Sequence, residues 1–248
     1  MFIEGGNTRK EFSSTCIFVQ GEAFWMRQIF KDKQIADKVL APTINFAGGW
    51  EHGMPAFVDT ARTLGFPRAA AEAAFKQAIS FQDQFEEELA LIGKEALEEL
   101  HADPEKVALV VVGRPYNAFA DEANKGIPKK IATRGYMVIP HDMLPYQNEP
   151  IPEPHDDYMH WEIGQELLRA SAIIKRDPQL FGVYVTNFLC AIDSLMVTYF
   201  RKLMKTKPSL TLELDGHTAD AGINTRIEAY LDIIKNYLQV QLRVRDVS

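Results

Sequence analysis

The chain has 248 residues, 46% hydrophobic and 25% charged, with 27 Lys+Arg against 34 Asp+Glu for a net charge of −7. That is enough chain for one large domain or two small ones, and the acidic balance gives no electrostatic support to non-specific nucleic-acid binding. No apolar run approaches the ~20 residues of a membrane span, the amino terminus lacks a signal-peptide layout, and two cysteines without a C-x-x-C make no disulfide framework, so the expectation is a soluble, cytoplasmic protein with no membrane partner.

In chain order, the polar start is followed by Phe12 to Gln20, which reads as a strand carrying or ending near Cys16. A short helical segment is expected around Phe24 to Phe30, and Ala41 to Phe46 reads as another strand-like piece closed by Gly48-Gly49. Residues 1–53 thus look like a partial α/β unit. Residues 54–105 read as a helical connector: Pro55 suits a first helical turn, Gly65-Phe66-Pro67 breaks the run, and Ala71, Ala74, Phe75, Ala78, Phe81 and Phe85 repeat at helical spacing. The acidic run Glu86-Glu87-Glu88 is most simply a solvated face, while the apolar face is one that another subunit could meet in a homo-oligomer.

Residues 106–248 are a cleaner module. Val107 to Val112 is a continuous apolar run of the kind found in a strand buried on both faces. It ends in Gly113-Arg114-Pro115-Tyr116-Asn117. A short helix from Gly126, a strand over Tyr136 to Pro140, a Pro- and acid-rich loop over His141 to Asp157 of lid-like length, and a helix over Tyr158 to Lys175 follow. Phe181 to Val185 is a β-branched and aromatic run. After Thr186-Asn187, Ile192, Leu195, Met196, Tyr199 and Phe200 change to helical spacing, leaving Cys190 in the turn. Ser209 to Leu214 gives a fourth strand, and Ile227 to Leu238 a final helix.

Strands alternating with helices predict an α/β fold with a parallel sheet covered on both faces. With strand order 2-1-3-4, the ligand crevice opens at the carboxyl ends of the first and third strands. There GRPYN would face TNFLC, with the loop from Asp215 to Gly222 flanking the same edge.

Each loop residue has a functional and a plain reading. Arg114 could bind a carboxylate or phosphate bidentately, or form a salt bridge to a neighbouring helix. Tyr116 and Asn117 could orient a ligand or shape a turn. Asp215, His217 and Asp220 include metal-ligand types, but hydrogen bonds holding their loop are the simpler reading. Cys190 could ligate a cluster, serve as a nucleophile or fill space. No P-loop, G-x-G-x-x-G or G-x-S-x-G is present, and two cysteines fall short of the four ligands an iron–sulfur cluster usually takes from protein.

Three long stretches carry a resemblance: GRPYNAFADEANKGIPKKIATRGYMVIPHDMLP, HWEIGQELLRASAIIKRDPQLFGVYVTNFLCAIDS and KPSLTLELDGHTADAGINTRIEAYLD. They resemble the activase-related proteins of the 2-hydroxyacyl-CoA dehydratase and benzoyl-CoA reductase superfamily, described as CoA-substrate-specific enzyme activases, over about Phe12 to Asp232. The resemblance implies flavodoxin-like α/β domains with a [4Fe–4S] or double-cubane cluster at the strand ends. Low-potential electron transfer to a CoA-thioester site would be driven by a separate ATP-hydrolysing activase module, or shared with a dehydratase or reductase subunit. In that pattern Cys190 matches the cysteine of the family's N-F-x-C-x-x-D-S turn and Cys16 an upstream cysteine, both as metal ligands. Arg114, Tyr116, Asn117 and Asn187 would then surround the cofactor. The alternative expectation is a cluster-free scaffold or regulatory domain of the same fold that binds a protein partner or small ligand.

Overall fold

The computed structural model describes residues 14–31, 38–46, 48–187 and 190–245. The chain divides into two compact units, Met1–Glu88 with Asp157–Gln165, and Leu89–Asp156 with Glu166–Ser248. Among the described residues no helix is long and apolar enough to cross a membrane.

The first unit corrects two expected strands. Phe12 and Ser13 lie outside the described residues; Ser14 makes one isolated parallel bridge, to Trp161, and from Ile17 the chain is helix α1, Ile17–Ile29. Branched and aromatic residues favour a strand only where neighbouring strands pair along it, and beyond Ser14 this segment has no such partner among the described residues. Cys16 caps α1 with its backbone and is buried. Of the expected strand over Ala41 to Phe46, only Asn45 makes a strand-like bridge. Helix α2, Trp50–Thr63, starts earlier than expected, so Pro55 sits inside it rather than in its first turn. The start is set by Gly49 at φ 99° and by the Phe46 ring, which packs edge-on against Trp50 at 5.0 Å. Helix α3, Arg68–His101, follows the Gly65-Phe66-Pro67 break, and Phe75 on α3 meets Phe57 on α2 at 5.3 Å between ring centres.

The second unit carries the sheet. β1, Ala108–Val112, is buried along its whole length. Three short helices follow, α4 (Pro115–Ala118), α5 (Asp121–Asn124) and α6 (Ile127–Ala132), the first two in the stretch that read as loop. Next come β2 (Met137–Pro140), α7 (Glu162–Arg176), β3 (Leu180–Asn187), α8 (Ala191–Met204), β4 (Ser209–Leu214) and α9 (Asp220–Arg245). All pairings are parallel and the order is β2-β1-β3-β4, as expected.

Residue alternation assigns the two faces. Leu109, Val111, Phe181, Val183 and Val185 pack with Ile127 and Ile131 of α6 and with Ile223, Ile227 and Ile234 of α9. On the opposite face Gly182 lies directly under Phe200 of α8 and Ile174 of α7. α7 begins four residues after the expected start at Tyr158, because Ser14 donates to the His160 carbonyl at 2.8 Å and draws that stretch into the bridge. The long segment after β2 is pinned rather than loose. Leu144 and His141 are buried, His141 Nε2 lies 3.0 Å from Glu166 Oε1, and Glu149 takes both amino groups of Arg176 at 2.6 and 3.0 Å.

Lys207, just before β4, gives a pH signature. Its buried ammonium donates to the carbonyls of Ile174, at 2.6 Å, and Asp177, and sits 5.1 Å over the Phe181 ring. Burial pushes its pKa down to about 8, helped by Lys175 and opposed by Asp177. Below pH 8 the ammonium is charged in both folded and unfolded chains and its burial penalty is full. Between 8 and the ordinary value near 10.5 only the folded chain sheds the proton, so stability rises with pH. Buried Tyr184 and Tyr230 have phenols raised above 10, chiefly by burial, and reverse the trend above about pH 10. Chemical-denaturation curves should gain about 2 kcal/mol from pH 7 to 9.5, and Lys207→Met should flatten that rise.

Candidate functional site

In this topology the chain leaves β1 for β2 on one side and reaches β3 on the other, so their carboxyl ends border the crevice where parallel sheets hold ligands. The turn after β1 is forced tight. Gly113, at φ 153°, passes so close to β3 that a Cβ there would fall 2.4 Å from the Val185 carbonyl oxygen. Arg114 follows at once and Pro115 opens α4. Beyond β3, Cys190 is the N-cap of α8, an unusual residue where Ser, Thr, Asp or Asn is preferred.

The two turns meet. Arg114 Nη1 donates to Cys190 Sγ at 3.2 Å, and the Asp193 amide donates to the same sulfur at 3.4 Å. Asn187 Nδ2 donates to the Tyr116 hydroxyl at 3.0 Å, and the Arg114 guanidinium lies 5.0 Å over the Tyr116 ring. Arg114, Tyr116, Asn187 and Cys190 are therefore one constellation. Asn117 sits in α4 beside them, only 5% exposed, with its Nδ2 lacking an acceptor among the described residues. Cys16 belongs to the other unit.

Beneath the constellation lies a network that composition and spacing did not reveal. Asp193 is fully buried and accepts from Thr186 Oγ1 at 2.9 Å and from the Tyr184 hydroxyl at 3.3 Å. The available clue was its place three residues after Cys190, in the first turn of a helix. Burial raises the Asp193 pKa, against the Thr186 hydrogen bond and the Arg114 charge. Burial by itself would lower the Arg114 pKa. The Cys190 hydrogen bond and the electrostatic pull of Cys190, Tyr116 and Asp193 outweigh it, holding the guanidinium above its ordinary value. The Tyr116 phenol is also raised, by burial and then by Cys190, despite the Asn187 hydrogen bond and the Arg114 charge.

The flanking loop is held by its own hydrogen bonds and by Lys125 and Lys130. Asp215 Oδ1 accepts from Thr218 Oγ1 at 2.7 Å and from the His217 amide at 2.9 Å, and Asp220 faces Lys130 at 3.5 Å. Among the described residues no group of three or more His, Cys, Asp or Glu side chains could hold a metal ion. At the crevice the second unit offers Cys190 as its one thiol, so its residues do not by themselves fit a [4Fe–4S] or double-cubane cluster.

A family model described as the CoA enzyme activase uncharacterised domain matches residues 2–144. The match takes in Cys16, Arg114, Tyr116 and Asn117 and stops before Asn187 and Cys190. No curated protein and no solved structure matches the chain. Because the matched segment is more than half of the chain and includes one of the two turns that build the crevice, this protein belongs to the CoA enzyme activase uncharacterised-domain family.

Proposed function

We propose that the carboxyl edge of this sheet binds the phosphate-bearing end of a CoA thioester, with Arg114 as its counter-charge, in a cluster-free domain that serves a dehydratase or reductase partner. A deficit of negative charge carries the reading. Arg114 is half-buried, its one hydrogen-bond acceptor among the described residues is the Cys190 sulfur, and it makes no ion pair among them. The nearby Asp193 carboxylate is turned to Thr186 and Tyr184 instead. A guanidinium presents five donors in a planar fork suited to phosphate or carboxylate, and the amino terminus of α8 adds a favourable dipole. Tyr116, 51% exposed beside the cation, offers an aromatic face to the nucleotide base. No histidine reaches Cys190 among the described hydrogen bonds, so binding rather than nucleophilic catalysis is the role assigned.

A second reading is favoured by the two N–H donors converging on Cys190 Sγ, an arrangement that holds the sulfur of a metal ligand in place. Cys190 would then supply one ligand to an iron–sulfur cluster completed by an activase or dehydratase chain. Electron transfer would be that cluster's contribution. Anaerobic reconstitution followed by iron and sulfide analysis separates the two. The first reading expects no bound iron and near-equal acetyl-CoA binding by wild type and Cys190→Ser. Roughly four irons per cluster, lost in Cys190→Ser, would establish the second instead.

A further inference from the structure

The first unit holds a cavity of about 420 Å³ between α2 and α3, lined mainly by Phe46, Trp50, Phe57, Ala74, Phe75 and Ala78. One and two turns further along α3, Phe81 and Phe85 stand 61% and 55% exposed. Ala71, Ala74, Ala78, Phe81 and Phe85 follow one another at spacings of three and four, the seam of a helix that pairs with another helix. The seam is small in its first half and large in its second. This asymmetry has a self-complementary solution, an antiparallel pair related by a two-fold axis.

We infer that α3 is a homodimerisation helix whose phenylalanines fill the alanine-lined hollow of a second copy. With the axis passing between Ile79 and Ser80, Phe85 of one copy faces Ala74 of the other and Phe81 faces Ala78, large against small in each layer. Charge supports the same direction. The first half of the helix carries Arg68 and Lys76 with one acid, Glu72, while the second carries Asp83, Glu86, Glu87 and Glu88 and no base before Lys94. An antiparallel pair sets the basic half of each copy beside the acidic half of the other, and brings Glu88 within a turn of Arg68 on the second copy. A parallel pair would stack the acidic halves together at a repulsive cost. Gln77, Gln82 and Gln84 flank the seam without charge, so nothing there opposes the antiparallel register.

Sedimentation equilibrium of the full chain tests this. The expected result is a reversible dimer that becomes monomeric in Phe85→Glu, with an unchanged circular-dichroism spectrum because Phe85 is a surface residue. Oxidation of a mixture of Ala78→Cys and Phe81→Cys chains should give a cross-linked heterodimer in higher yield than either chain alone. A chain monomeric at every concentration overturns the inference, as does a dimer that survives Phe85→Glu. So does a monomer whose cavity takes an apolar dye with an affinity that Phe85→Glu leaves unchanged.

Discussion

Replacing Gly113 with alanine is expected to cost about 3 kcal/mol of stability and to disable the crevice in the same step. The position combines a backbone conformation that side chains rarely adopt, φ 153°, with a contact that has no room to relax. The atom a Cβ would strike at 2.4 Å is the Val185 carbonyl oxygen, part of a central strand paired on both sides, and the Ala118 side chain closes in at 3.1 Å. To relieve the clash the β1 turn must lift away from β3. Arg114 is the next residue, so its 3.2 Å contact with Cys190 opens as well. Urea denaturation should show the lower midpoint, and titration of whatever Gly113→Ala protein remains folded should show weakened ligand binding. A variant as stable as the wild type would mean that the close approach does not set this turn.

Arg114→Gln should separate binding from folding. A guanidinium held by an ion pair leaves a buried charge behind when removed, which costs several kcal/mol. Arg114 has no ion pair among the described residues, so its loss should change stability by less than about 1 kcal/mol. Binding is another matter: charge-assisted hydrogen bonds are worth about 1.5–3 kcal/mol each, so the affinity for a phosphate-bearing ligand should fall at least ~10-fold. Tyr116→Phe, which keeps the ring under the cation but loses the Asn187 hydrogen bond, should have a smaller effect.

The sheet was legible in the sequence for a simple reason. Strands buried on both faces read as unbroken apolar runs, and β1 and β3 are such runs; once the order 2-1-3-4 is supposed, the approach of Arg114 and Tyr116 to Asn187 and Cys190 follows from topology. The amino-terminal unit was not legible in the same way. Ile17, Phe18 and Val19 have strand-like chemistry, yet they begin a helix with no buried residue. Propensity misleads where no tertiary partner enforces it. α7 starts later than periodicity indicates, because the single bridge from Ser14 to Trp161 leaves no periodic signal. At the crevice the sequence named Arg114, Tyr116, Asn187 and Cys190, but the buried links from Asp193 to Thr186 and Tyr184 depend on a helix turning back over a strand end. No spacing rule reveals such a contact. The closeness of Gly113 to Val185 likewise exists only once β1 and β3 are paired.

The most direct test of the central claim is an isothermal titration of the full chain with acetyl-CoA, run in parallel on wild type and Arg114→Gln and repeated with inorganic phosphate as competitor. The expected result is saturable binding to the wild type, weakened by phosphate and by added salt, and at least ~10-fold weaker binding to Arg114→Gln at unchanged thermal stability. Equal affinities for the two proteins, or no binding to a well-folded wild type, would contradict it.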